Sequence, residues 1–360
     1  MYGQQDSSDI LFRINVSDWV SSPGVNHSRT HVSAPFEVSS YSRDGNRNVT
    51  FGSKEQLATY TEPKLNVNLG EKFESYIPKR DEDVGVETVV KALQSKQFDI
   101  DTQADIVTYR NNMNKIGGTP YENRDGWELD CALVAKTVYL DIRKTNKEST
   151  DPQQQRFMYY GYRFESLCTG LEDEPVNANS EYCSISRLRI ANHRILMASE
   201  IDCSSGAPDK GGNPLNGYIE LKTMRVIENE RALNSMYRFR FLKYWLQSYL
   251  GGVPTIMLGL RSDAGDLLHV KKVKTHEIPR EARHHFDKTR SNNRWDPFVC
   301  INFLDCILAS IREVCHDHPG CTIRVRFDPS SKQVTAVKVT GVDAGLAPRI
   351  SQLRQEATAG

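Results

Sequence analysis

Strand-like and helix-like hydrophobic patterns alternate along the whole chain. Val86, Val89, Val90 and Leu93 recur at helical spacing behind the acidic run Asp81-Glu82-Asp83, which predicts a helix over about 85–96. Residues 127–133 and 137–143 alternate as the two arms of a β-hairpin. Residues 156–167 mix aromatic and apolar positions and read as a helix. Residues 184–202 hold two strands, the second over 195–202, and a Gly-, Pro-, Asp- and Asn-rich stretch leads to a partner strand at 218–223. A long helix follows over about 232–250. Met236, Phe239, Leu242, Leu246 and Tyr249 form its apolar stripe, and Arg240, Lys243 and Gln247 a polar one. Gly251-Gly252 ends it. Residues 255–260 and 267–273 read as strands, and Asp296-Pro297 caps and opens a helix to about 314. Residues 322–327 and 333–339 close the chain with a hairpin.

This mixture predicts one α/β domain with mixed β-sheets flanked by helices. Its expected bounds are 34–341, after a loosely ordered polar arm at 1–33 and before a frayed tail at 342–360. Arg283-His284-His285 reads as a basic surface turn.

Composition narrows the choice of chemistry. The chain is 38% hydrophobic and 26% charged, ordinary for a globular protein with a full core. Basic and acidic residues number 46 each, so a polyanion must be held by a local basic patch. Lys271, Lys272 and Lys274 are one candidate for that patch. No apolar run reaches membrane-span length, and the N-terminal residues lack the basic-then-apolar order of a secretory signal. The expected location is nuclear or cytoplasmic. The eight cysteines are scattered without a C-x-x-C pair and read as reduced, buried thiols. A zinc reading of Cys315-His316-Asp317-His318 with Cys321 is set aside, because Pro319-Gly320 interrupts it and the spacing is not that of a zinc site.

The chemistry concentrates in residues 200–222. Glu200 and Asp202 are two apart, as are Glu220 and Lys222, and residues two apart on a strand share a face. Two adjacent strands would aim three carboxylates and one ammonium at a single spot. Carboxylates crowded in this way repel unless a hard cation such as Mg2+ or Mn2+ sits among them. Such a cation polarises a phosphate and acidifies water, and the lysine offsets charge that builds on phosphorus. Asp202 and Glu220 are separated by 17 residues, giving D-x17-E-x-K, the pattern of PD-(D/E)xK nucleases.

Further short motifs occur in order around it. They are V-T-Y-R ending at Arg110, G-Y-R-F-E ending at Glu165, E-I-D at 200–202, E-L-K at 220–222, Q-S-Y-L from Gln247, and G-L-R ending at Arg261. This series resembles the DXO family of RNA 5′-end decapping and deNADding exoribonucleases, over about residues 35–339. The resemblance implies a PD-(D/E)xK-like core and one or two divalent ions. Glu165, Asp202, Glu220 and the Leu221 carbonyl would be metal ligands, with Glu200 acting through a water. Glu200, Lys222 and Gln247 would carry the chemistry, and Arg110, Lys222, Gln247 and Arg261 would contact RNA. The implied substrates are RNAs with a 5′ phosphate, a triphosphate, or an incomplete or non-standard cap, including NAD caps. The implied protein is a monomer that associates with no membrane. Two rivals stand beside this reading: a DNA nuclease of the same superfamily, and a non-catalytic partner of a larger nuclear 5′ exonuclease.

Overall fold

The computed structural model describes residues 10–21, 29–80, 85–143, 151–206, 211–291, 294–340 and 345–359. In chain order the elements are β1 (Ile10–Asn15), α1 (Ser17–Ser21), β2 (Phe36–Arg43), β3 (Val49–Phe51), α2 (Glu87–Gln94), α3 (Ile100–Gln103), β4 (Ile106–Tyr109) and α4 (Arg110–Gly118). Then follow β5 (Trp127–Val134), β6 (Thr137–Arg143), α5 (Pro152–Cys168), β7 (Glu181–Ile190), β8 (His193–Glu200), β9 (Cys203–Ser204) and β10 (Tyr218–Arg225). The last are α6 (Glu230–Ser235), α7 (Phe241–Gly251), β11 (Thr255–Arg261), β12 (Leu267–Lys274), α8 (Ile278–Thr289), α9 (Pro297–Asp317), β13 (Thr322–Asp328), β14 (Gln333–Lys338) and α10 (Leu346–Ala359).

Ten strands form one sheet in the order β1-β14-β13-β5-β6-β4-β8-β7-β2-β3, and four form a second in the order β12-β11-β10-β9. β4 runs parallel to both of its neighbours, and β10 runs parallel to β11. Strand alternation divides the apolar residues by face. Ile106, Ile195 and Met197 of the large sheet and Ile256 and Leu258 of the small one share a core with α4, α7 and α9. Val107, Leu196 and Ala198 point the other way, onto α2 and α10. Ile219, Leu221 and Met257 cover the remaining face of the small sheet and pack on Tyr159, Tyr160 and Phe164 of α5. The seam between the two sheets, roofed by α4 and α7, is where the chemistry collects.

Two described segments near the ends of the chain form regular elements. Residues 10–15, expected in a loose arm, add β1 to the edge of the large sheet beside β14. Trp19 meets Phe303 edge-on at 5.2 Å. The expected frayed tail contains α10, which buries Leu346, Ala347 and Ile350. Arg349 also bonds Asp141 at 2.9 Å. A short amphipathic helix leaves little periodic signal when its neighbours in sequence are polar.

The long helix is interrupted by a π-turn at Met236–Arg240. The extra residue in that turn rotates the stripe, so Phe241 and Trp245 are buried and Phe239 is not. The Arg283-His284-His285 stretch lies within α8, where His285 is buried against Tyr237 with ring centroids 4.6 Å apart. Cys315 is buried in α9, and no three metal-binding side chains cluster among the described residues. No described helix is long and apolar enough to cross a membrane.

Candidate active site

Glu220 is the centre of the site. It is 1% exposed on β10 and alternates with Ile219 and Leu221, whose apolar side chains fix its direction into the seam. Its Oε2 accepts from Arg110 Nη1 at 3.3 Å, and its Oε1 accepts from Lys222 Nζ at 2.5 Å and from Gln247 Nε2. Burial works against the Glu220 charge, but Lys222 and Arg110 outweigh it and hold the carboxyl below its usual range. Burial likewise opposes the charge on Lys222, yet Glu220 and Asp202 raise its pKa above the usual lysine value.

Arg110 is the first residue of α4 and is buried. Besides Glu220 it bonds the Glu200 carbonyl through Nη2 at 3.0 Å, so it ties the end of β8 in the large sheet to β10 in the small one. Gly251 makes room for it, since a Cβ there would lie 2.9 Å from Arg110 Nη1. The glycine that ends α7 therefore also permits a close approach.

Asp202 lies between β8 and β9 and accepts the Leu221 N–H at 2.6 Å through Oδ2. Among the described residues β9 pairs with Tyr218 and Ile219 alone, so from Glu220 onward no described strand covers that edge of β10. The N–H and C=O of one strand residue face the same side, which turns the Leu221 carbonyl toward Asp202 as well. Glu165 sits on α5, next to Phe164. Gly259 of β11 fixes that neighbour: a Cβ at Gly259 would stand 2.7 Å from the Phe164 ring. Burial and then the Glu220 charge push the Asp202 pKa up to about 7. Burial and then the Asp202 charge raise Glu165 well above the usual carboxylate value.

The charges are thus unevenly met. Glu220 has Arg110 and Lys222, whereas Glu165 and Asp202 repel each other. Among the described residues no ready-made cation cage is formed, because Glu220 is turned to Lys222 and Gln247. The donor chemistry still fits a hard divalent ion. The set is oxygen-only and buried or half-buried, and burial with carboxylate repulsion raises both Glu165 and Asp202 even though Lys222 offsets part of it.

Glu200 ends β8, and its carboxylate is 51% exposed, 3.6 Å from Lys79 Nζ. Lys79 also meets Glu181 at 2.8 Å. It stands in a turn-rich segment with no periodic signal, and the sequence reading passed over it. Arg261 is away from the carboxylates. Its guanidinium lies over the rings of Tyr160 (4.8 Å) and Phe157 (5.1 Å) of α5, and Nη1 donates to the Ser262 carbonyl at 2.9 Å.

The expectation of two adjacent strands carrying both charged pairs is corrected. Glu200 and Glu220 belong to different sheets, and Asp202 lies between strands. Lys243, on the same polar stripe as Gln247, turns instead to Glu122 at 2.9 Å. Lys271, Lys272 and Lys274 stand on β12, at the edge of the small sheet opposite β9. Exposed lysines on an edge strand discourage pairing with other chains.

Residues 33–355 match the model of the RAI1-like PD-(D/E)XK nuclease family. The chain belongs to this family. A relative named decapping and exoribonuclease protein, from Xenopus laevis, is 30% identical over 82% of this chain and 80% of its own length. S. pombe Rai1, solved in complex with 3′-FADP, superposes with a TM-score of 0.77 at 25% identity over 91% of this chain and 99% of that one. Candida albicans Rai1, solved with pU5 and Mn2+, has a TM-score of 0.79 at 23% identity over 91% and 98%. The RAI1-like fold thus accounts for both sheets and for the seam between them.

Proposed function

We propose that this chain is a divalent-cation-dependent hydrolase of RNA 5′ ends. In this reading it removes incomplete or non-standard caps, NAD caps or 5′ pyrophosphate, with 5′-to-3′ exoribonuclease activity alongside. The observation that carries the reading is the set around Glu220: one buried carboxylate bonded by Arg110, Lys222 and Gln247, beside Asp202 and Glu165, whose charges burial and carboxylate repulsion oppose. The names of the RAI1-like relatives support decapping as the reaction, and the S. pombe and C. albicans ligands support a nucleotide-bearing 5′ end as the substrate.

Glu165, Asp202, Glu220 and the Leu221 carbonyl would hold Mg2+ or Mn2+, with Glu200 acting through a water. The bound cation would supply Lewis-acid polarisation of the phosphoryl group and acidification of water. The chain's own residues do the rest. Lys222 Nζ and Gln247 Nε2 are the N–H donors bordering the carboxylates. They offset charge on the non-bridging oxygens and orient the attacking water in line with the leaving group. The water oxygen bonds to phosphorus, the bond to the leaving oxygen breaks, and no covalent enzyme intermediate forms. Arg110 holds Glu220 and the end of β8 in place, and it reaches phosphate only if it is released from those bonds. Arg261 acts through α5, by clamping the helix that carries Glu165.

The test is incubation with a panel of 5′-modified RNAs and matched DNAs plus Mg2+ or Mn2+, with released products identified by mass spectrometry. Release of a cap or 5′ fragment from RNA is expected. Cleavage of DNA alone moves the chain to the DNA-nuclease reading. Activity that survives Glu200→Ala with Asp202→Ala refutes the carboxylate site, and an inert wild type leaves the binding-partner reading.

A further inference from the structure

Met224 follows Lys222 by two residues on β10, so it shares the Lys222 face about 7 Å further along the strand. It forms part of the floor of a separate pocket of about 350 Å3, together with Ile227 and Met236. Arg225, Arg231 and Arg240 line the same pocket. They come from the end of β10, from α6 and from the π-turn. Arg261 stands beside them as the register partner of Arg225 on β11.

The positive charge here is incompletely met. Glu228 (2.7 Å) and Asp263 (3.0 Å) are both bonded to Arg225. Arg231 and Arg240 are exposed and make no ion pair with a described residue. Burial, with Arg240 and Arg225 also contributing, lowers the Arg261 pKa, which places the three guanidinium groups within each other's field. In a chain with 46 basic and 46 acidic residues this excess is local. The Phe157 ring, 47% exposed, lies under Arg261 on the α5 face of the small sheet, outside the pocket.

We infer that this pocket is a subsite for the RNA strand beyond its 5′ end. Arg231 and Arg240 bind backbone phosphates, and the apolar lining supplied by Met224, Ile227 and Met236 receives a base. Guanidinium groups beside an apolar surface suit the alternating phosphates and bases of single-stranded nucleic acid. An acidic peptide would use the guanidinium groups but leave the apolar lining without a role. The inference rests on the reading that RNA is the ligand of the neighbouring carboxylate site. It extends that reading to the length of strand the protein holds.

The experiment measures equilibrium binding of the full chain to a 5′-phosphorylated RNA of about ten nucleotides, in EDTA, across a salt series. The double variant Arg231→Ala/Arg240→Ala is expected to bind roughly tenfold more weakly at low salt, with a salt slope shallower by about 1.4, the value for two lost phosphate contacts. A 5′-phosphorylated dinucleotide, too short to span both places, binds the variant as it binds the wild type. Arg231→Lys/Arg240→Lys retains the slope. Unchanged RNA binding overturns the proposal and directs the pocket to an acidic protein. Equal loss on the dinucleotide overturns it too, as a general structural effect. A wild type that binds RNA through these arginines but cleaves no 5′ end upholds the subsite while refuting the activity proposed above.

Discussion

Replacing Arg110 with methionine removes the bond that joins the two sheets at the site. Arg110 and Glu220 have side chains only 8% and 2% exposed and lie 3.3 Å apart. At an effective dielectric constant of about 20 their attraction is about 5 kcal/mol before the cost of desolvating them. Breaking one partner of such a buried pair costs about 3–5 kcal/mol, because the other charge stays buried. Lys222 and Gln247 remain on the second Glu220 oxygen, which favours the lower end of that range. The lost bond to the Glu200 carbonyl adds about 1.5 kcal/mol. The expected loss is therefore about 4 kcal/mol at pH 7, read by chemical denaturation. A Glu220→Gln change should cost about 2 kcal/mol less in this background than in the wild type, since the Arg110 pair it would break is already gone. The pH dependence has a definite sign. Glu220 titrates below its unfolded pKa, so its contribution is present above that value and is lost as pH falls through the folded one. Without Arg110 that loss begins at a higher pH. A variant within 1 kcal/mol of wild type, additive with Glu220→Gln and altered only in KM for RNA, would refute this account and make Arg110 a simple phosphate contact.

Other expected outcomes follow from the same geometry. Gly259→Ala drives a methyl into the Phe164 ring, so stability falls by about 1–3 kcal/mol and turnover falls with it as Glu165 is displaced; unchanged turnover would uncouple Gly259 from the site. In the metal-free protein Asp202 and Glu165 titrate above their unfolded values, so stability declines as pH rises from about 4 toward 7. Mn2+ should then raise the melting temperature more at pH 7 than at pH 5, and equal shifts at both would count against these two as ligands. Deleting residues 346–360 exposes the faces covered by Leu346 and Ile350 and should cost about 4 kcal/mol while leaving KM unchanged; intact stability would mean that α10 does not dock in solution. Lys79→Met frees the Glu200 carboxylate on the exposed side of the site and should lower kcat more than it lowers stability, as steady-state kinetics and denaturation together would reveal.

Much of the site was legible because its residues sit in short motifs. Asp202, Glu220 and Lys222 were marked by spacing, and Glu165, Gln247 and Arg110 by the order of neighbouring motifs. Their relative placement was less legible. Period-2 spacing puts Glu220 and Lys222 on one face of β10, which the structure bears out. The same rule applied to Glu200 and Asp202 misleads, because β8 stops at Glu200 and the chain leaves the sheet before Asp202. Nothing in the local pattern distinguishes a strand that ends from one that continues. Arg110 is a related case: as a motif residue it implied a phosphate contact, but its burial beneath Glu220 depends on how α4 crosses between sheets. Hairpins such as β5–β6 and β13–β14 were readable from alternation alone. The elements β1 and α10 were not, since they gain their apolar contacts from elements far away in sequence. The π-turn likewise cannot be seen in a stripe that is nearly continuous on either side of it.

The most direct test of the central claim is calorimetric titration of Mn2+ into the wild type and into Asp202→Asn, at about pH 6.5, in two buffers of different ionisation enthalpy. Because burial and the Glu220 charge hold the Asp202 pKa at about 7 in the metal-free protein, wild-type binding should release protons to the buffer. Asp202→Asn should lose both the tight binding and the proton release. Equal affinity and equal proton release in the two proteins would contradict the assignment of these carboxylates as the cation site.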